Sequence, residues 1–209
     1  MDIVEIEAKF HLPHLTHLRK RLLDEGARLL TPRTLERNLR FDTNDGRLVQ
    51  SHIVLRLRQD SRATLTYKEP QERHEIRIEH EVEVDDFDRV REILDALGYK
   101  VIFVYEKYRE TFAIESSEVV LDELPFGNFA EIEGPDIEQI TSLAERLNLE
   151  WERRVALNYI GVFEDLRQRM NLPFRDATFD NFKDYEDLSL DDLGYPFADQ
   201  AAPSDKDSV

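Results

Sequence analysis

"VEIEAKF", residues 4–10, decides how this chain reads. In a strand, side chains at i, i+2 and i+4 point to one face, so Glu5, Glu7 and Lys9 share a side while Val4, Ile6, Ala8 and Phe10 take the other. A half-buried strand with one wet face would explain this segment alone. The same test on the rest of the chain asks for more.

Further strands read as "LERNLRFDT", "HIVLRLRQ", "ATLTYKE", "HEIRIEHEVEV", "KVIFVYEKYRETFAI", "EVVLDEL" and "NFAEIEG". Each carries charge on one parity. Arg40 and Asp42 share a face with Asn38, Arg56 pairs with Arg58, and Lys68 ends its strand. Arg77, Glu79, Glu81 and Glu83 line one face against Ile76, Ile78, Val82 and Val84. Lys107 goes with Arg109, Asp122 ends "VVLD", and Glu131 goes with Glu133. A solvated face mixes Ser, Thr, Asn and Gln with its charges, whereas these faces are dominated by Arg, Lys and Glu. Amphipathic helices are expected in "LPHLTHLRKRLLDEGARLL", in "DDFDRVREILDALGY", and near residues 136–148 and 153–170. "EIEAKF", "EHEVEV" and "AEIEGP" repeat a Glu-x-Glu strand that runs into a helix.

The architecture these patterns predict is α+β: an eight-stranded antiparallel sheet closed into a barrel, with a charged lumen and helices packed outside. Burying so many unpaired ions would be prohibitive, so the lumen must hold ion pairs, water or a highly charged ligand. Acids and bases in partly separate groups suit a polyanion gripped by Arg and Lys and bridged through a divalent metal. Triphosphate is the ligand that fits.

A net charge of −17 argues against a nucleic-acid surface, which needs exposed cations to displace counterions. With no cysteine there is no disulfide, thiolate nucleophile or cysteine-bound zinc. Met1 leads directly into the charged strand, and no apolar run approaches ~18 residues, so a cytoplasmic protein without membrane contact is expected. His11, His14 and His17 are expected on a surface helix face. One domain over residues 1–171 and an acidic tail over 172–209 are expected. The tail is expected to be partly disordered, from Ala198 onward, with Phe174, Phe179, Phe182, Tyr185 and Tyr195 able to pin its earlier part.

"ExExK" alone is a weak signal, arising by chance in ~5% of chains this long. Taken together, "ExExK", "LRLR", "TYK", "R-x-E-x-E", "EKYRE", "VVLDELPFGNFAEIE" and the late "NYIGVFEDL" resemble the CYTH superfamily, the triphosphate tunnel metalloenzymes, over about residues 3–168. The resemblance implies an eight-stranded tunnel and Mg²⁺ or Mn²⁺ as cofactor. It implies Glu5, Glu7, Asp122, Glu131 and Glu133 as metal ligands. Lys9, Arg56, Arg58, Lys68, Lys107 and Arg109 stand at positions that hold the triphosphate, with Arg77 a further match and Lys9, Lys68 and Arg56 in catalytic roles. Glu79 and Glu81 match additional tunnel acids. Arg40 departs from the pattern: it stands where many relatives have an aromatic before "FDT", and adds a phosphate contact.

Three chemistries follow from the resemblance. They are hydrolysis of tripolyphosphate, thiamine triphosphate or ATP; class IV adenylyl cyclisation of ATP to cyclic AMP and pyrophosphate; and non-catalytic binding of polyphosphate or nucleotide. Hydrolysis is favoured because the charged set addresses a triphosphate and nothing in it reads adenine. The resemblance also raises a homodimer.

Overall fold

The computed structural model describes residues 6–70, 77–185 and 188–199. The elements run β1 (Ile6–Leu12), α1 (Leu15–Asp24), β2 (Arg28–Asp42), α2 (Arg47–Gln50), β3 (Val54–Gln59), β4 (Ala63–Pro70), β5 (Arg77–Val84), α3 (Phe87–Ala96), β6 (Lys100–Ile114), β7 (Ser117–Leu124), β8 (Gly127–Gly134), α4 (Ile137–Arg146), α5 (Tyr159–Met170) and α6 (Phe179–Phe182). The eight strands form one sheet in the order β1-β8-β7-β6-β2-β3-β4-β5. Helix starts are written in the sequence: Asp86, Asp136 and Asn158 each accept a first-turn backbone N–H. Residues 154–157, expected to be helical, precede that last cap, so α5 starts later than its periodicity suggests.

The chain divides into two compact units. The β1–β7–β8 unit holds residues 6–33, 109–172 and 188–199. In it Ala8, Phe10 and Leu12 of β1 and Ala130 and Ile132 of β8 bury against Leu18 and Leu22 of α1 and Ile140, Leu143 and Ala144 of α4. The register places Lys9 opposite Glu131 and Phe10 opposite Ala130. Alternation therefore puts every charge of these strands on the face away from that core. The β3–β4–β5 unit holds residues 34–70, 77–108 and 173–185. Its apolar face, Leu39, Phe41, Leu55 and Leu57, packs against Leu48 of α2 and Phe87 and Leu94 of α3.

The expected closed barrel is corrected by this topology. Among the described residues β1 and β5 are the two ends of the sheet and no ladder joins them. Over Lys9–His11 the outer edge of β1 is already spent: Val155 N–H donates to the Lys9 carbonyl, Ala198 N–H donates to the His11 carbonyl, and Phe10 bridges to Arg154. An edge whose carbonyls are satisfied cannot take another strand. Helices are not confined to the apolar side either, since Tyr159 of α5 packs edge-on against Phe129, which shares the charged face of β8.

The C-terminal segment is bound piecewise. Ala177 exchanges backbone hydrogen bonds with Val104 and Glu106, and the rings of Phe174, Phe182 and Tyr185 pack edge to face. Farther on, the Tyr195 hydroxyl donates to Asp165 at 2.7 Å and Arg21 pairs with Asp199. Ala198 and Asp199, expected to begin a disordered end, are both buried.

Asp42 shares the parity of Arg40 but serves the backbone. Its carboxylate accepts from the N–H groups of Thr43, Leu48 and Val49 at 2.7–3.0 Å, tying β2 to α2. Burial pushes its pKa up, but these bonds outweigh burial and hold it below the usual value of 3.8. Its contribution to stability is therefore whole at neutral pH and is lost as pH falls through the depressed folded value. Asp42→Asn should cost about 1–3 kcal/mol at pH 7. Paired thermal melts should show the gap between variant and wild type narrowing toward pH 3.

Candidate functional site

In the β1–β7–β8 unit, three strands align their charged faces row by row. Lys9 lies opposite Glu131, and Glu7, Glu133 and Glu118 lie opposite one another. The Lys9 ammonium reaches Glu131 Oε1 at 2.5 Å. Arg109 forks onto both oxygens of Asp122 at 2.7 and 2.5 Å and reaches Glu131 Oε2 at 2.7 Å. Asp122, fully buried, also accepts from the Tyr159 hydroxyl at 2.8 Å. The Tyr159 ring lies 4.4 Å from the Lys9 ammonium. Burial first, then the charges of Asp122 and Glu131, push the Tyr159 hydroxyl well above its ordinary pKa against the opposing pull of Arg109, so it stays a neutral donor.

Of the five carboxylates expected at a metal, Glu5 falls outside the described residues. Asp122 and Glu131 spend their oxygens on Arg109, Tyr159 and Lys9. Glu7 and Glu133 stand directly opposite each other in the β1–β8 ladder, and both are exposed. Among the described residues no group of three His, Cys, Asp or Glu side chains is placed to hold a metal ion. Mg²⁺ does not need such a cage, because it keeps waters and binds through one or two carboxylates plus phosphate oxygens. The Glu7/Glu133 pair fits that chemistry.

The β3–β4–β5 unit is held more loosely. Asn38, Arg58 and Thr64 stand in one row across β2, β3 and β4, and Arg40, Arg56, Thr66 and Glu81 in the next. Arg56 reaches Thr66 Oγ1 at 3.3 Å and Glu81 at 3.7 Å, and Arg58 reaches Glu81 at 3.5 Å and Asp60 at 3.6 Å. Strong charge-assisted bonds run about 2.7–2.9 Å. The Nε groups of Arg56 and Arg58, Asn38 Oδ1 and Thr64 Oγ1 are buried without a hydrogen-bond partner among the described residues. Burial works against the charge of Arg56, but Tyr105, Glu36 and Glu81 outweigh it and raise its pKa. Lys68 is paired with Glu79 at 2.5 Å, and buried Lys107 lies 3.7 Å from Glu36. Arg77 lies on β5 opposite Pro70, its side chain outside the described residues.

Parity in the sequence found these rows but missed three partners. Glu36 shares the parity of Asn38 and receives its amide N–H at 2.8 Å, and Tyr105 shares that of Lys107. Both were visible as alternation. Tyr159 carried no such signal, because it comes from a helix. His11, expected on a helix surface, is instead buried in β1: its Nδ1 donates to the Tyr195 carbonyl at 2.6 Å between the rings of Phe129 and Phe197, and burial lowers its pKa.

A charged-face antiparallel sheet of this kind is matched by the CYTH domain family model over residues 4–158, and the chain belongs to that family. Its members are enzymes, adenylyl cyclases and triphosphatases, that depend on a divalent metal. Solved structures of similar fold include a protein of Vibrio parahaemolyticus described as a "putative adenylate cyclase", at 20% identity, TM-score 0.70, covering 78% of this chain and 99% of that one. A protein of Pyrococcus horikoshii is 26% identical, with TM-score 0.63 and 75% and 98% covered. One from Hippeastrum, described as a "putative adenylyl cyclase" with a dominant triphosphatase activity, is 21% identical, with TM-score 0.52 and 77% and 95% covered. No curated protein sequence matches the chain. Among the described residues no helix is long and apolar enough to cross a membrane.

The buried Lys9–Glu131–Arg109–Asp122 cluster makes a stability prediction. Asp122→Ala leaves the Arg109 guanidinium without its two-oxygen partner and should cost about 3–5 kcal/mol. Exposed Glu118→Ala should stay within about 0.5 kcal/mol of wild type. Urea denaturation of the two variants checks both.

Proposed function

We propose that this chain hydrolyses inorganic tripolyphosphate or a small organic triphosphate, thiamine triphosphate or ATP, with Mg²⁺ or Mn²⁺. The observation that carries the reading is the set of buried polar atoms in two adjacent rows of the β3–β4–β5 unit that lack a hydrogen bond among the described residues. Among the described residues, two arginines whose Nε groups lack a hydrogen bond and whose carboxylate contacts are 3.5–3.7 Å are cations ready for a closer anion. Buried donors without acceptors cost about 1–3 kcal/mol each, which a bound phosphate would return.

In this reading Arg56 and Arg58 grip phosphate oxygens through their forks, and Thr66 holds the Arg56 guanidinium in place. Phosphoryl transfer is mostly positioning and charge stabilisation, so a preorganised arginine set supplies what the reaction needs. Lys68 joins by exchanging Glu79 for phosphate; in the β1–β7–β8 unit, Lys9 can exchange Glu131 for an anion. Arg40, Arg77, Lys107 and Arg109 are assigned to substrate binding. Glu7 and Glu133, with Glu5, are assigned to the metal, which when bound neutralises phosphate charge. Asp122 and Glu131 serve that centre by holding its cations, and Glu79 and Glu81 do the same for Lys68 and the arginines. The dominant triphosphatase activity described for the Hippeastrum relative agrees with this choice.

The test is a substrate panel of tripolyphosphate, thiamine triphosphate and ATP, each with Mg²⁺ or Mn²⁺, with orthophosphate, pyrophosphate and cyclic AMP measured separately. Orthophosphate release from tripolyphosphate is expected. Cyclic AMP formed with equal pyrophosphate would make the protein a cyclase, and tight tripolyphosphate binding without turnover would make it a binding module. Arg56→Ala should lower kcat/KM by about 100-fold, the worth of one charged contact to the reacting group. Glu133→Gln should raise the metal concentration for half-maximal rate by at least about tenfold with an unchanged melting temperature.

A further inference from the structure

We propose that Tyr159 is a positioning residue for the Lys9 ammonium, holding it over an aromatic face where an anionic substrate can meet it. The inference rests on the phosphate-binding reading above and goes beyond it in bringing α5 into the site. Tyr159 closes a circuit of contacts. Its hydroxyl donates to Asp122, Asp122 takes Arg109, Arg109 and Lys9 share Glu131, and the Lys9 ammonium returns to the Tyr159 ring at 4.4 Å. Five side chains from five different elements thus fix one another.

The chemistry of the ring is what matters. Lys9 is buried, and a buried ammonium needs partners on more than one side. A second carboxylate would satisfy it and also neutralise it. An aromatic face attracts it through its quadrupole and brings no charge. Among the described residues one carboxylate, Glu131, then faces Lys9 directly at short range. The hydroxyl, anchored on Asp122 at 2.8 Å, sets the tilt of that ring, and Phe129 braces it edge-on at 5.2 Å.

Tyr159→Phe keeps the ring and loses the anchor, whereas Tyr159→Leu loses both. Titration calorimetry with tripolyphosphate should show affinity weakened about tenfold in Tyr159→Leu, the size of a desolvated cation–π contact, and about threefold in Tyr159→Phe. In a Lys9→Met background the Tyr159→Leu effect should vanish, because the group it positions is gone. The ring-current upfield shift of the Lys9 ammonium protons should persist in Tyr159→Phe and disappear in Tyr159→Leu, a signature independent of any ligand. Equal losses in both backgrounds would mark Tyr159 as merely structural and overturn the proposal while leaving tripolyphosphate binding intact. A wild-type protein that neither binds nor hydrolyses tripolyphosphate would overturn the functional reading, and the inference with it.

Discussion

The register of β1 against β8 is the constraint on which the β1–β7–β8 unit depends. Lys9 faces Glu131 and Phe10 faces Ala130, and the two pairings are inseparable because neighbouring residues point to opposite faces. A slip of one residue would drive Lys9 into the core of Leu18, Leu22 and Ile140 and bring Phe10 to the charged side. The 2.5 Å ion pair is worth little as a bond once desolvation is counted. Its value is that a one-residue slip would bury a charge without a partner. Once β1 is fixed in this way, its carbonyls are available to Val155 and Ala198, and the edge that a barrel would have used is filled.

The two units treat their cations differently. Lys9 and Arg109 sit in contacts of 2.5–2.7 Å with carboxylates. Arg56 and Arg58 have carboxylate contacts of 3.5–3.7 Å and, among the described residues, no hydrogen bond from Nε. Folding could have been served by closer acids in the second case, as Glu79 serves Lys68. Leaving arginines short of acceptors on a half-buried face costs stability, and such a cost is characteristic of a site whose remaining partner is a ligand.

Much of this was legible in the alternation of Glu, Lys and Arg along the strands. Parity assigned the faces of β1, β3 and β8 correctly and gathered Arg56 with Arg58 and Glu131 with Glu133. It failed wherever a partner came from outside the strand. Asp42 has the parity of a charged-face residue, yet the turn through Thr43 to Leu48 wraps backbone N–H groups around it, and a period of two carries no record of a turn. Tyr159 and His11 owe their places to α5 and to the segment around Tyr195, respectively, contacts separated by 37 and 184 residues in sequence. The closed barrel failed for the same reason, since the groups that fill the β1 edge belong to residues 154–155 and 198, where no strand pattern exists.

An overall charge of −17 does not conflict with binding a polyanion. Exposed charges farther apart than about 8–10 Å are largely screened at physiological ionic strength. The acids of α3 and of the C-terminal segment therefore act on the approach of a substrate more than on its bound energy. Contacts at hydrogen-bond distance on a half-buried face escape most of that screening, and there the forks of Arg56 and Arg58, 3.5–3.7 Å from Glu81 and Asp60, can close on an anion. Bulk charge slows the encounter with an anion, and the local guanidinium contacts decide whether it stays. A small phosphate compound of high charge density gains most from that arrangement, because it can meet several arginines at once. A long nucleic acid would also have to lie against the screened but strongly acidic remainder of the surface.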